Sequence, residues 1–189
     1  MALGLLNATI GDLAQYIFVD KNVFLKVAGT PDYDSNKVLH LRTHPSPLNS
    51  FVVLNRNVSD TLSLSFDLEL PQRSIFNFVF NFKDEGDFKM LRLDNRERWP
   101  NCILHCTQKY SWKEALYADP DSPPSAGTMS VVIGIDFPNQ IFSLSVNGDS
   151  YSFKDRQGKA RDLFDEISPD LRIGFFNEEG TVKLSNIHL

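Results

Sequence analysis

The stretch Thr61-Leu-Ser-Leu-Ser-Phe-Asp-Leu-Glu-Leu70 decides the fold class. Large apolar side chains occupy every second position, and polar side chains occupy the positions between them. Successive side chains of a strand point to opposite faces of a sheet, so this alternation predicts a strand with one buried and one solvated face. Such strands are typical of antiparallel sheets.

The same two-residue period continues outward from this stretch. A turn is predicted at residues 71–74. In the strand that follows, one face carries four Phe, at positions 76, 78, 80 and 82, and the other face carries Ile75, Asn77, Val79 and Asn81. Further predicted strands lie at residues 23–27, 37–42, 51–54, 87–94, 129–135, 142–146, 151–153, 171–175 and 182–189. Asn147-Gly148 is a strong hairpin signal. About a dozen short strands without alternating long helices predict an antiparallel β-sandwich or barrel.

The composition narrows the classes of partner. The chain has 189 residues, 15 of them Phe, and a formal net charge of −5 without a run of Lys or Arg. This acidic balance argues against a nucleic-acid partner or an anionic membrane surface. No run of about 18 apolar residues, the length needed to span a bilayer, occurs. We expect one domain with an aromatic core.

The N-terminal segment differs from the rest of the chain. Leu3, Leu6, Ile10, Leu13 and Ile17 recur at intervals of three and four, which predicts one apolar face of a helix. We expect residues 1–20 to be a helical extension that docks on a domain formed by residues 21–189. The alternative is self-association through residues 3–17.

A second short helix is predicted at residues 160–167. The chain lacks a secretory signal pattern, so we expect a cytoplasmic location for the sequence as given, and an extracellular one if it is a trimmed fragment.

The two cysteines lie in Cys102-Ile-Leu-His105-Cys106. On a strand their Cα atoms would be about 13 Å apart, beyond the limit of about 7 Å for a disulfide. His105 would face away from both of them, so no metal-ligand set is predicted here. We expect two reduced thiols and a reducing compartment.

The order of the predicted strands resembles the concanavalin A-like lectin/glucanase jelly roll, in its laminin-G-like variety. Four features carry the resemblance, and they are residues 62–70, the pair 78–82 and 86–93, the hairpin 141–148, and the ending 171–177 with 180–187. This superfamily includes lectins, carbohydrate-binding modules, glycoside hydrolases, polysaccharide lyases and interaction domains. The resemblance therefore implies an architecture and leaves the activity open.

Asp67 and Glu69 are the candidates for a catalytic pair. Both lie on one face of the predicted strand, as the paired carboxylates of a retaining glycoside hydrolase would. The related glucanases carry Glu-x-Asp-x-x-Glu or a close variant on such a strand, whereas Ser65 takes the first position here and no third carboxylate follows. We therefore interpret the pair as part of a solvated face.

Candidate ligand-binding residues concentrate between positions 92 and 117. They are Arg92, Asp94, Asn95, Trp99, Tyr110, Trp112 and Tyr117. Aromatic faces pack on the C–H surfaces of sugars, while guanidinium, carboxylate and amide groups bind the hydroxyls. If these residues form a recognition surface, both Trp side chains are expected to be partly exposed.

No cofactor is predicted, although the resemblance to laminin-G-like domains implies a calcium site that Asp119 and Asp121 could join. We expect a non-catalytic binding module, lectin-like and specific for a carbohydrate. One alternative is a protein-interaction or assembly domain without a sugar site. A second is a glycoside hydrolase or polysaccharide lyase. The expected partner is a glycan or a protein.

Overall fold

The computed structural model describes residues 17–18, 24–42, 50–54, 61–84, 87–96, 102–108, 111–119, 126–136, 138–139, 141–154, 157 and 172–188. Every regular element in these residues is a β-strand. The predicted all-β antiparallel sandwich is therefore confirmed. In the same part of the chain, no helix has the length and apolar character needed to cross a membrane.

The described residues contain fifteen strands. In chain order they are β1 (Ile17–Phe18), β2 (Phe24–Ala28), β3 (Asp32–Tyr33), β4 (Leu39–Arg42), β5 (Phe51–Leu54), β6 (Thr61–Leu70), β7 (Ile75–Asp84), β8 (Asp87–Asp94), β9 (Cys102–Gln108), β10 (Ser111–Asp119), β11 (Gly127–Asp136), β12 (Ile141–Val146), β13 (Asp149–Lys154), β14 (Gly174–Glu179) and β15 (Thr181–His188). β1, β3, β9 and β10 lie outside the strands that the period predicts. Asn147 and Gly148 form the predicted tight turn, and both have positive φ angles.

The strands form two antiparallel sheets. Sheet A has the order β1-β2-β5-β14-β7-β8-β9-β10, and sheet B has the order β13-β12-β11-β6-β15-β4-β3. β13 joins them, because Tyr151 pairs with Leu144 of β12 while Lys154 pairs with Tyr117 of β10. β14 lies between β5 and β7, and β15 lies between β4 and β6. Gly180 alone links these two strands and has a φ of 82°.

The main core fills the space between the two sheets. Sheet B contributes the apolar row of β6 together with Met129, Val131, Ile133 and Ile135 of β11. From sheet A, Phe76, Phe78 and Phe175 extend into the same cluster. The Phe66 and Phe175 rings meet edge to face with centroids 5.5 Å apart, which joins the sheets through aromatic contact.

A second apolar cluster covers the other face of sheet A, which we call its outer face. It consists of Phe51, Val53, Val79, Phe82, Phe88 and Met90. Period two predicts Phe82 in the same row as Phe80, and this is wrong. Asn81 has a φ of 51°, and the pairing of β7 with β8 shifts register between Phe80 and Asp84. This bulge turns Phe82 to the outer face, where it meets Phe51.

The predicted helices fall largely outside the described residues. Residues 1–16 and 160–167 belong to that part of the chain. Ile17, the last position of the predicted helical row, lies in β1 and pairs with Lys26 of β2. At that position the segment is therefore joined to sheet A as a strand.

The segment that holds the two cysteines is extended, as predicted. In β9, Cys102 pairs with Leu93 and Cys106 pairs with Lys89 of β8. Four residue steps along one strand separate the two cysteines, so a disulfide between them does not fit the backbone.

Candidate functional site

A polar region interrupts the apolar outer face of sheet A. Cross-strand pairing places Phe176, Asn77, Arg92, Ile103 and Tyr117 in one row that runs over β14, β7, β8, β9 and β10. Because paired residues share a face of a sheet, the described side chains of this row, those of Phe176, Asn77, Arg92 and Tyr117, lie on one face. Neighbouring strands are about 4.8 Å apart, so Arg92 and Tyr117 lie about 10 Å from each other along the row.

At one end of this row lies a group of charged and amide side chains that we call the arginine–carboxylate cluster. Its members are Asn77, Arg92, Asp94, Arg96, Glu178 and Glu179. Arg92 is central, because its Nη2 atom lies 3.3 Å from Oε2 of Glu178 and 3.6 Å from Oδ2 of Asp94. About four fifths of the Arg92 side chain is buried, with 19% exposed.

Asp94 is the carboxylate of the cluster that contacts both arginines. Its side chain is fully buried, and Arg96 binds it in a bidentate manner, with Nε 2.9 Å from Oδ1 and Nη2 2.7 Å from Oδ2. These hydrogen bonds raise the pKa of Arg96 against the opposing effect of desolvation. The buried position of Asp94 places its carboxylate against Arg92 and Arg96, so its contact with a ligand at the rim stays a prediction.

Glu178 and Asp94 are the two carboxylates of the cluster that contact Arg92. Burial raises the pKa of Glu178, and the charge of Arg92 and a hydrogen bond from Asn77 oppose this effect in part. Asn77 Nδ2 donates to Oε1 of Glu178 at 3.1 Å and to the carbonyl of Phe176 at 3.2 Å. Asn77 Oδ1 is buried and has no hydrogen-bond partner within the described part of the chain.

Glu179 completes the cluster on its solvent side. Its Oε2 atom accepts a hydrogen bond of 3.0 Å from Nη1 of Arg96, and the side chain is 48% exposed. Sequence reasoning missed both glutamates, because Glu179-Gly180 is typical of a turn. The signal that could have found them is a pair of carboxylates that follows the apolar run Phe175-Phe176 after a single Asn177.

Asn95, another predicted ligand residue, has a structural role here. Its Nδ2 donates to the carbonyl of Pro71 at 2.7 Å, and its Oδ1 accepts from the backbone N–H of Ser74 at 2.7 Å. The side chain therefore ties the turn between β6 and β7 to the end of β8. Both of its polar atoms are engaged in the fold.

The aromatic candidates are described to different extents. Tyr117 is half-buried in β10, and the flanking Leu116 and Ala118 belong to the main core, so Tyr117 presents its ring on the outer face of sheet A. The backbone of Trp112 lies in the same strand, paired with Thr107. Trp99, Tyr110 and the side chain of Trp112 lie outside the described part of the chain. The expected partial exposure of the two Trp side chains therefore stays a prediction.

The other predicted carboxylate pair lies on sheet B. Asp67 and Glu69 occupy the solvent-facing row of β6, as the alternation predicts. Nζ of Lys183 donates to both carboxylate oxygens of Glu69, at 2.9 and 3.0 Å, and Nδ2 of Asn186 donates to Asp67 at 2.6 Å. Each carboxylate is thus held by a partner on β15.

Among the described residues, no group of three or more His, Cys, Asp or Glu side chains could hold a metal ion. Asp119 ends β10, and Asp121 lies outside the described residues. The proposed calcium site therefore stays a prediction from the resemblance.

The geometry of the arginine–carboxylate cluster suits the binding of polar, hydroxyl-bearing groups. Guanidinium groups only donate hydrogen bonds, ionised carboxylates only accept them, and a hydroxyl group does both. The cluster offers both kinds of partner at a partly open position, next to an aromatic ring in the same row. Such a combination binds a ligand through oriented polar contacts and an apolar contact together.

Comparison with known proteins identifies the architecture. No family model matches the chain, and no curated protein matches its sequence. Among solved structures, the carbohydrate-binding module CBM66 from Bacillus subtilis is similar, with a TM-score of 0.62, 11% identity, and coverage of 88% of this chain and 94% of that one. A Lotus tetragonolobus seed lectin has a TM-score of 0.57, 11% identity, and coverage of 90% and 96%.

A third similar structure is a putative glycosyl hydrolase from Parabacteroides distasonis, with a TM-score of 0.54, 11% identity, and coverage of 88% and 98%. Identities this low establish the fold and leave the activity open. The strand order, the core between the sheets and these structural matches agree with the resemblance that the sequence suggests. The chain has the jelly-roll fold of the concanavalin A-like lectin/glucanase superfamily.

Proposed function

We propose that the chain is a non-catalytic carbohydrate-binding module whose site is the arginine–carboxylate cluster on the outer face of sheet A. The observation that carries the proposal is the position of Arg92, which is 3.3 Å from Glu178 and 19% exposed. A sugar hydroxyl at this position would accept a hydrogen bond from Arg92 and donate one to Glu178. Charge-assisted hydrogen bonds of this kind are stronger than those between neutral groups.

The aromatic residues of β10 extend the proposed site along the same row. Tyr117 presents its ring about 10 Å from Arg92, which allows the apolar face of a sugar to pack on it. Trp112 on the same strand, with Tyr110 and Trp99, belongs to the proposal as further aromatic contacts. The names of two similar structures, a carbohydrate-binding module and a seed lectin, support a ligand of this class.

Glycoside hydrolysis is the second candidate, and one observation favours it. Burial raises the pKa of Glu178, as the general acid of such an enzyme requires. A second carboxylate is also needed, and both of the others in the cluster are bound by Arg96. Asp94 is fully buried and held at both oxygens, and Glu179, which is 48% exposed, accepts a hydrogen bond of 3.0 Å. The cluster therefore supports binding better than hydrolysis.

A glycan array probed with the intact protein tests the proposal, followed by titration of a bound glycan with the Arg92→Lys variant. Lys keeps the positive charge and loses the planar fork, so we expect binding at least tenfold weaker. Lys183→Ala, which changes a charged residue on sheet B, is the control and should bind as the wild type does.

Two results would contradict the proposal. One is the absence of binding to every glycan on the array. The other is unchanged affinity in Arg92→Lys, with a melting temperature that shows the variant to be folded. Release of reducing ends from a bound polysaccharide would favour the hydrolase instead.

A further inference from the structure

We infer that the arginine–carboxylate cluster selects uncharged sugars and rejects sugars that carry a carboxylate or a sulfate. The inference rests on the proposed function and adds the class of ligand. Three observations lead to it: the charge balance of the cluster, the engagement of its guanidinium groups, and the buried amide of Asn77.

The charge balance opposes an anionic ligand. Two guanidinium groups, those of Arg92 and Arg96, face three carboxylates, those of Asp94, Glu178 and Glu179. A carboxylate or sulfate on the ligand would bring a fourth negative group to a partly buried position. Like charges in such surroundings repel each other more strongly than they do in water.

The guanidinium group of Arg96 is also arranged unfavourably for an anion. Recognition of a carboxylate or sulfate by Arg uses two parallel N–H groups of one fork. The fork of Arg96 is already closed on Asp94 at 2.9 and 2.7 Å, and its Nη1 binds Glu179 at 3.0 Å. An anion that used the fork of Arg96 would have to displace a buried carboxylate from its bidentate partner.

Arg92, in contrast, is suited to a hydroxyl group. Its Nη2 lies 3.3 Å from Glu178 and 3.6 Å from Asp94. Both distances are longer than the roughly 2.7–2.9 Å of a strong charge-assisted hydrogen bond. A hydroxyl beside Arg92 and Glu178 makes one short bond to each. Glu179, which is 48% exposed, adds a second carboxylate on the solvent side of the cluster.

The amide of Asn77 points to a donor as well. Nδ2 of Asn77 donates a hydrogen bond to Oε1 of Glu178, which fixes the orientation of the amide. Oδ1 is then the polar atom of the side chain that still needs a hydrogen-bond donor. Oδ1 is a buried acceptor without a partner within the described residues. An ordered water that accepts from a sugar hydroxyl and donates to Oδ1 would satisfy it.

The test uses an array of matched pairs at pH 7 and low salt. Each pair is a neutral glycan and its uronic-acid or sulfated counterpart, such as galactan with polygalacturonate and with a sulfated galactan. We expect the neutral member to bind at least tenfold more tightly than the acidic member of its pair.

Variants that remove a carboxylate then test whether the charge of the cluster causes this ratio of affinities. Glu178→Gln and Glu179→Gln each remove one negative charge from the cluster, so the acidic member should gain and the ratio should fall at least threefold. Glu69→Gln makes the same charge change on sheet B and should leave the ratio unchanged.

Each outcome decides the inference. Acidic glycans that bind as tightly as neutral ones, and lose affinity in Arg92→Lys, would overturn the selectivity while the proposed function stands. The same ratio in wild type and in both cluster variants would also overturn it. If no glycan of either kind binds, the proposed function is wrong and the inference is wrong with it.

Discussion

The outer faces of the two sheets differ in what their polar residues do. On sheet B, the outward positions of β6 are solvated, and Ser63 is an exposed residue between buried leucines. On sheet A, Asn77 holds the equivalent outward position of β7 and is 0% exposed. The second apolar cluster covers this face, so its polar groups bind one another rather than water.

This difference shows what a two-residue period reveals. The period identifies which residues share a face, but not whether both faces are buried. The residues with the most specific polar contacts, Asn77, Arg92 and Glu178, lie on the face that is largely covered. Buried polar groups need partners to offset the cost of desolvation, which explains why the polar side chains of this cluster bind one another.

The largest effect expected from this comparison concerns apolar residues at outward positions. Met90→Ala on sheet A should lower the free energy of unfolding by about 2–5 kcal/mol, because the fully buried side chain leaves a cavity. Val132→Ala on sheet B, where the side chain is 42% exposed, should change it by no more than about 0.5 kcal/mol. Urea unfolding of both variants measures the two values, and similar losses would show that the faces are equivalent.

Polar residues at outward positions should show the same contrast at a smaller scale. Asn77→Ala removes the donor to the carbonyl of Phe176 and to Glu178, and should cost about 1–3 kcal/mol. Ser63→Ala should be neutral within about 0.5 kcal/mol. Thermal unfolding followed by circular dichroism compares the two variants. A neutral Asn77→Ala would mean that water replaces the amide at no cost.

The pH dependence of stability sharpens the comparison further. Burial raises the pKa of Glu178 above its unfolded value, so the folded state retains a proton that the unfolded state releases. The contribution of Glu178 to stability is therefore present at pH below its unfolded pKa and is lost as the pH rises through its folded pKa.

Glu178→Gln cannot ionise and should escape this loss. The free energy of unfolding of the variant minus that of the wild type should increase as the pH rises from about 4 to 7. Urea unfolding at four pH values across this range measures the difference. Glu69→Gln on sheet B is the control for the loss of one carboxylate. A difference that stays flat or falls for Glu178→Gln would show that burial does not dominate there.

The smallest effect belongs to the ion pair of Glu69 and Lys183 on sheet B. Both side chains are nearly half exposed, at 47% and 41%, so solvent and salt screen their attraction. A double-mutant cycle with Glu69→Gln and Lys183→Ala should give a coupling of about 0.2–1 kcal/mol that declines in 1 M salt. A salt-independent coupling above this range would mean that the outer face of sheet B is less solvated than its exposure indicates.

The sequence predicts sheet B more completely than sheet A, and the reason is physical. The strict alternation of β6 and the turn at Asn147-Gly148 are local signals, and the structure bears out both. The bulge at Asn81 is set by the packing of Phe82 against Phe51, which lies 31 positions earlier in the chain and carries no local signal. Period two alone therefore assigns Phe82 to the wrong face.

The candidate site is predictable in part for the same reason. Arg92 and Asp94 lie two positions apart on one strand, so their common face follows from the sequence. Glu178 reaches them only because β14 lies beside β7 in sheet A. Asp94 is a buried anchor because Arg96 binds both of its carboxylate oxygens. No local pattern in the sequence indicates this contact.

The placement of β14 and β15 has a consequence for how the chain folds. These two strands come last among the described residues, yet each occupies an interior position of its sheet. A growing chain from which they are still missing has β5 and β7 apart in one sheet and β4 and β6 apart in the other. Pairing between residues so distant in sequence is slow and leaves unpaired strand edges exposed in the meantime. The pairing inside both sheets can therefore be completed only after residues 174–188 have been synthesised.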